Sequence, residues 1–219
     1  MARPRRLEHP GLTRHVTARG NGRMPIFLDD CDYRQFIRLL GEVVAAFGAE
    51  CWNYCVMPNH YHLTVRPTQP NLSETIQHLN SSYAQWWNKR HKRVGHVFQG
   101  RFKDQVVDTE TYLLTLSRYV AMNPVRGALV ERPESWPWSS YAATIGSCPA
   151  PAFLSAEFTL RLVGGESSAF RQARFVRFVT GEENSAADDW IRSKTRVLGD
   201  RVFKDRVATI QRTGSETIL

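Results

Sequence analysis

Residues 50–65 read ECWNYCVMPNHYHLTV, and the order of elements turns on this stretch. Glu50 to Met57 is aromatic-rich and alternating, Pro58-Asn59 interrupts it, and His60 to Val65 is a second short run. Two such runs around a turn pair predict neighbouring antiparallel strands. Side chains alternate along a strand, so His60 and His62 share one face while Tyr61 points to the other, towards a helix layer.

On the N-terminal side, Leu12 to Thr17 carries β-branched residues and runs into the basic turn Arg19-Gly20-Asn21-Gly22-Arg23, a strand and a loop. Asp29 and Asp30 offer capping oxygens to a helix from about Cys31 to Phe47, with Phe36, Leu39, Leu40 and Val43 at helical spacing. On the C-terminal side, Asn71 with Glu74 makes a capping-box-like start for a helix to about Arg90. From Gly95 to Val107 the pattern returns to strand, with Val97, Gln99, Arg101 and Lys103 on one face and Phe98, Gly100 and Phe102 on the other. Asp108 then caps a helix to Met122, which Pro124 brings to an end.

The order β-α-β-β-α-β-α predicts an α+β sandwich, one antiparallel sheet with helices on a face. Residues 146–151 are a candidate linker, dividing a main domain at 1–146 from an extension at 147–219. Helical patterns in that extension run from Ala169 to Thr180 and from Arg201 to Gln211.

Of the 219 residues, 42% are hydrophobic and 11% aromatic, enough for one core with a small appendage. The 29 Lys+Arg against 21 Asp+Glu leave a formal +8 and favour a polyanionic partner. No apolar run reaches the roughly 18 residues of a bilayer span, and the basic start MARPRR lacks an apolar stretch behind it, so a cytoplasmic protein is expected. Cys31, Cys51, Cys55 and Cys148 have no zinc-site spacing and are expected to be buried free thiols. There is no phosphate-binding G-x-x-x-x-G-K-[ST] loop, hence no expected nucleotide cofactor.

Two short patterns carry chemistry. His60 and His62 can hold one metal ion side by side, or be a satisfied core histidine and an exposed strand residue. Tyr119 and Asn123 stand one helical turn apart, as a functional pair or as a core aromatic and an ordinary residue before proline. A tyrosine hydroxyl, with an ordinary pKa of about 10, attacks a phosphodiester only where a cation neutralises the phosphate, and two imidazoles with an amide oxygen leave open positions for such a site.

Four blocks stand in order: Pro58 to Leu63 (PNHYHL), Gly95 to Lys103 (GHVFQGRFK), Arg118 to Arg126 (RYVAMNPVR) and Trp136 to Tyr141 (WPWSSY). Together they resemble the REP-associated tyrosine transposases, within the HUH single-tyrosine transposases, over roughly residues 5 to 145. The resemblance implies a ferredoxin-like sandwich, Tyr119 as nucleophile, His60 and His62 as metal ligands with Asn123 as a third, and Mg²⁺ or Mn²⁺ as the metal. It also implies a short palindromic DNA hairpin with a single-stranded flank as substrate. Basic residues among aromatics support such a partner: Arg3, Arg5, Arg6, Arg19, Arg23, Lys89, Arg90, Lys92, Arg93, Arg101 and Lys103, near Trp86 and Trp87. A relaxase or replication initiator shares His-Tyr-His and a tyrosine, and a hairpin-binding protein without chemistry shares the basic surface. Whether the chain acts as a monomer or a homodimer is open at this level.

Overall fold

The computed structural model describes residues 6–181, 191 and 195–213. A five-stranded sheet in the order β2-β3-β1-β4-β5 forms its centre. The first four strands are β1 (Thr13–Arg19), β2 (Ala49–Met57), β3 (His60–Pro67) and β4 (Lys103–Val107), and every pairing among them is antiparallel. The two-residue strand β5 (Val197–Leu198) adds to β4 in parallel. The chain is therefore the α+β sandwich expected, with a mixed rather than wholly antiparallel sheet.

Helices α1 (Asp30–Ala46) and α2 (Leu72–Arg90) cross over on one face. Phe36 and Leu40 of α1 and Leu79 and Tyr83 of α2 pack there with Val16, Tyr61, Leu63 and Val65 of the strands. Full burial of such side chains stabilises by about 1.5–3 kcal/mol each, so this layer drives the fold. The expectation of helices on a single face holds for this crossover pair, whereas α3 (Thr109–Arg126) covers the opposite face. Leu116, Tyr119 and Val120 of α3 meet Cys55, Met57 and Val107 there, because a strand buried on both sides presents alternate residues to each layer.

Local chemistry explains each start and stop. Asp29 caps α1 by accepting from Cys31 N and Asp32 N, and Asp108 caps α3 by accepting from Glu110 N. Asn71 precedes α2 without such a bond, since its Nδ2 donates instead to the Phe47 carbonyl. The strand read over 95–107 is shortened to Lys103–Val107: Phe98 makes one bridge to Gly20, and Gly95 and Gly100 take φ of 99° and 143°, which bends the chain out of the sheet. Pro124 does not end α3, which runs to Arg126, because only its own missing N–H is lost and Gly127 N still reaches the Asn123 carbonyl. In β2 the register shifts between Cys51 and Asn53, so Trp52 bulges out to stack on Phe158 at 4.3 Å.

After α3 come α4 (Tyr141–Thr144) and, beyond residue 146, α5 (Ala156–Leu162) and α6 (Ser168–Thr180), which share a core with α3 through Ala121, Tyr141, Leu160, Phe175 and Val179. Helix α7 (Arg201–Thr213) places Val207 against Leu12 and Val106. Cys51 and Cys55 are buried free thiols as expected; Cys31 and Cys148 are free but exposed, one at a helix start and the other between α4 and α5. Among the described residues no helix is long and apolar enough to cross a membrane.

Candidate active site

The turn between β2 and β3 is closed by the pair Met57 and His60, leaving Pro58 and Asn59 at its tip. Residues 20–27 fold over that tip: Gly20 N donates to the Asn59 carbonyl at 2.8 Å, and Ile26 N donates to the Pro58 carbonyl at 2.9 Å. A Cβ at Gly20 would lie 2.2 Å from the Met24 carbonyl oxygen, so only glycine permits this wrap. Asn59 Nδ2 donates to the Arg23 carbonyl at 2.9 Å, which fixes its amide with Oδ1 turned to His60 Nδ1 at 2.7 Å. A neutral His60 that donates from Nδ1 keeps its lone pair on Nε2.

His62 sits two residues along on the same face and is buried. The His60 and His62 ring centroids are 5.0 Å apart. Beside them, on β1, lies a third imidazole that no sequence motif singled out. His15 Nε2 is 2.9 Å from His62 Nδ1, and His15 Nδ1 is 3.1 Å from Gln105 Oε1 of β4. The two rings are inclined by only 11°, so they meet edge to edge through their nitrogens. Burial pushes the pKa of His15 down to about 4, and burial with the nearby Arg19 charge pushes that of His60 down to about 4. Burial, then His15, His60 and Arg19, hold His62 well below its ordinary value. All three rings are neutral at physiological pH, the form a metal ligand needs.

Helix α3 brings Tyr119 to this cluster. Its ring centroid is 5.5 Å from that of His62 and 6.0 Å from that of His15, edge-on to both. The helix is pinned to the sheet by a buried polar chain: Thr64 Oγ1 donates to Asn53 Oδ1 at 2.6 Å, and Asn53 Nδ2 donates to Ser117 Oγ at 2.9 Å. One turn on, Asn123 Nδ2 donates to the Tyr119 carbonyl at 2.8 Å. The Arg126 guanidinium lies 5.3 Å from the centre of the Tyr119 ring.

The basic residues separate into groups. Arg19 is exposed and faces His60 across the β1–β3 ladder, and Lys103 faces Thr17, itself opposite His62. Both therefore border the histidines. Arg23, Lys89, Arg93 and Arg101 are exposed, with Arg93 near the buried Trp87 ring. Two others are held internally: Arg6 pairs with Asp104 at 2.6 Å, and Arg90 bridges Asp29 and Asp32. Arg3 and Arg5 lie outside the described residues.

Among the described residues no group of three or more His, Cys, Asp or Glu side chains is set to hold a metal ion. The Nδ1 atoms of His60 and His62 are engaged by Asn59 and His15, so Nε2 of each ring is the atom that could meet a metal ion in an open site of the catalytic kind. Imidazole alone leans to softer transition metals, whereas Mg²⁺ favours oxygen, so a hard cation at such a site would need further oxygen ligands.

Residues 9–123 match the family described as transposase IS200 like, a span that holds the histidines, Tyr119 and Asn123. A Haemophilus influenzae protein named for the REP-associated tyrosine transposases is 23% identical over 134 residues, 53% of this chain and 76% of that one. The fold is also that of a REP-associated tyrosine transposase solved bound to a REP hairpin, with a TM-score of 0.58, 18% identity, and coverage of 71% of this chain and 92% of that chain. A family match over more than half of the chain decides the matter: this protein belongs to the IS200-like transposases, enzymes that cleave and transfer DNA.

Proposed function

We propose that the chain is a metal-dependent single-strand DNA nuclease and strand transferase, with Tyr119 as nucleophile, and that it acts on hairpin DNA of the repetitive extragenic palindrome kind. The observation that carries this reading is the 5.5 Å contact between the Tyr119 and His62 rings, which joins two separate motifs into one site. His60 and His62 through Nε2, with Asn123 through Oδ1, are the ligands. A divalent cation held there supplies charge neutralisation and alignment for the phosphate. The Tyr119 oxygen attacks phosphorus and the phenolic proton leaves. The phosphorus–oxygen bond to one sugar breaks, that sugar oxygen takes up a proton, and a covalent phosphotyrosine results. Attack by another DNA hydroxyl reverses the exchange, so one phosphoester replaces another and no nucleotide cofactor is called for.

Arg19 and Lys103 border the histidines and supply charge for the strand, and the hairpin preference rests on the hairpin-bound relative. Residues 1–146 form the catalytic unit and 147–219 an extension that braces it. The test is incubation with labelled hairpin DNA and Mn²⁺, followed by a denaturing gel. The wild type gives a protein–DNA adduct that Tyr119→Phe and His60→Ala both lose. Hairpin binding with no adduct in the wild type would overturn the nuclease reading in favour of a DNA-binding protein.

A further inference from the structure

A row of hydrogen bonds crosses the sheet from the C-terminal extension to His62. It begins at the Thr195 carbonyl, just before β5, which accepts from Gln105 Nε2 at 2.9 Å. A backbone carbonyl can only accept, so the Gln105 amide is fixed with Oε1 turned to His15, and that oxygen in turn can only accept. His15, opposite Gln105 in the β1–β4 ladder, therefore donates from Nδ1 at 3.1 Å. As a neutral ring it then has a lone pair on Nε2, which lies 2.9 Å from His62 Nδ1. His62 must be the donor in that bond, and its own lone pair falls on Nε2. The reverse polarity would set two lone pairs or two N–H groups against each other somewhere along the row, and at its buried end, between His15 and His62, an unsatisfied group costs about 1–3 kcal/mol.

We propose that His15 is a positioning residue that fixes the tautomer and the ring plane of His62, and that Gln105 and the segment leading into β5 anchor it. This rests on the metal-ligand reading of His60 and His62 given above. His60 has a simpler counterpart in Asn59, fixed by the Arg23 carbonyl. His62 is too deep for a local partner and takes its orientation from the tail of the chain, over 130 residues away in sequence. Outer partners of this kind are worth about 10–100-fold in metal affinity.

The full-length, metal-free protein, ¹⁵N-labelled, should show His62 protonated on Nδ1 and bare on Nε2 in long-range ¹H–¹⁵N spectra at pH 7.5. His15→Phe keeps a ring but no acceptor. It should lose that preference and bind Mn²⁺ about 10–100-fold more weakly, read from the electron paramagnetic resonance signal of free Mn²⁺, while turnover at saturating Mn²⁺ falls far less. His15→Gln, whose amide can accept from His62 and donate to Gln105, should restore both. A His62 protonated on Nε2 in the wild type overturns the proposal even if His15→Phe fails to fold, and so does unchanged Mn²⁺ affinity in a folded His15→Phe. His62→Ala separates the two levels. Loss of Mn²⁺ binding there beside normal binding in His15→Phe removes the positioning role alone, and normal binding in His62→Ala removes the ligand reading with it.

Discussion

The Tyr119 ring meets the His62 ring edge-on, centroids 5.5 Å apart and planes inclined by 80°, although one belongs to a strand and the other to a helix on the opposite side of β4 in sequence. Neither motif prescribes this distance. It depends on how α3 is seated on the sheet, and the buried Thr64–Asn53–Ser117 chain is the polar part of that seat.

Asn53→Leu therefore strands the Thr64 hydroxyl and removes the tie to Ser117, whose own hydroxyl still donates to the Leu113 carbonyl. An expected cost of about 1–3 kcal/mol follows from leaving a buried polar group without its partner, with adduct formation slowed more than hairpin binding is weakened. Urea unfolding and single-turnover cleavage measured side by side check this; a stable variant with wild-type cleavage contradicts it.

Acid should loosen the metal-free protein through the same histidines. His15 and His60 have folded pKa values lowered to about 4, against 6.5 in the unfolded chain. Below pH 6.5 the unfolded chain takes up protons that the folded one refuses, so this stability is complete above about pH 6.5 and declines as pH falls towards 4. For the fully buried His15 the slope is roughly 1 kcal/mol per pH unit within that window. Urea midpoints at pH 5 and pH 7.5 should therefore differ less in His15→Phe than in the wild type, and equal differences would count against it.

Arg14 is almost fully buried on β1 and pairs with Asp104 at 2.9 Å, a carboxylate it shares with Arg6. Burial lowers the Arg14 pKa against the opposing pull of Asp104. Asp104→Ala should cost about 3–5 kcal/mol by leaving a buried charge uncompensated. The double variant Arg14→Met with Asp104→Leu should recover most of that loss in thermal melts, and failure to recover would show that the pair does more than neutralise itself.

Arg19 stands opposite His60, and Lys103 stands opposite Thr17, the ladder partner of His62. If each neutralises one phosphate of a single strand, Arg19→Ala and Lys103→Ala should each reduce the log–log salt slope of DNA affinity by about 0.7. Arg90→Ala should instead lower stability with little change in slope, because its guanidinium is held by Asp29 and Asp32. Fluorescence anisotropy across a salt series distinguishes the two patterns.

Alternation and capping carried much of the architecture in the sequence alone. The period of two around Pro58-Asn59 placed His60 and His62 on one face, the Asp29 and Asp108 caps located α1 and α3, and four ordered motifs pointed to the family. These are short-range properties, decided by φ/ψ preferences and by which side of an element a residue faces. What lies between elements was decided only in three dimensions. His15 has no motif and Gln105 is an ordinary strand glutamine; their roles follow from strand register, which pairs residues 90 positions apart. Likewise, Arg6 and Arg90 look like any other surface cations in sequence, and folding sets each against buried or half-buried carboxylates. A hydrogen bond requires a partner at about 3 Å in a set direction, and no linear spacing encodes that once the partner arrives from another strand.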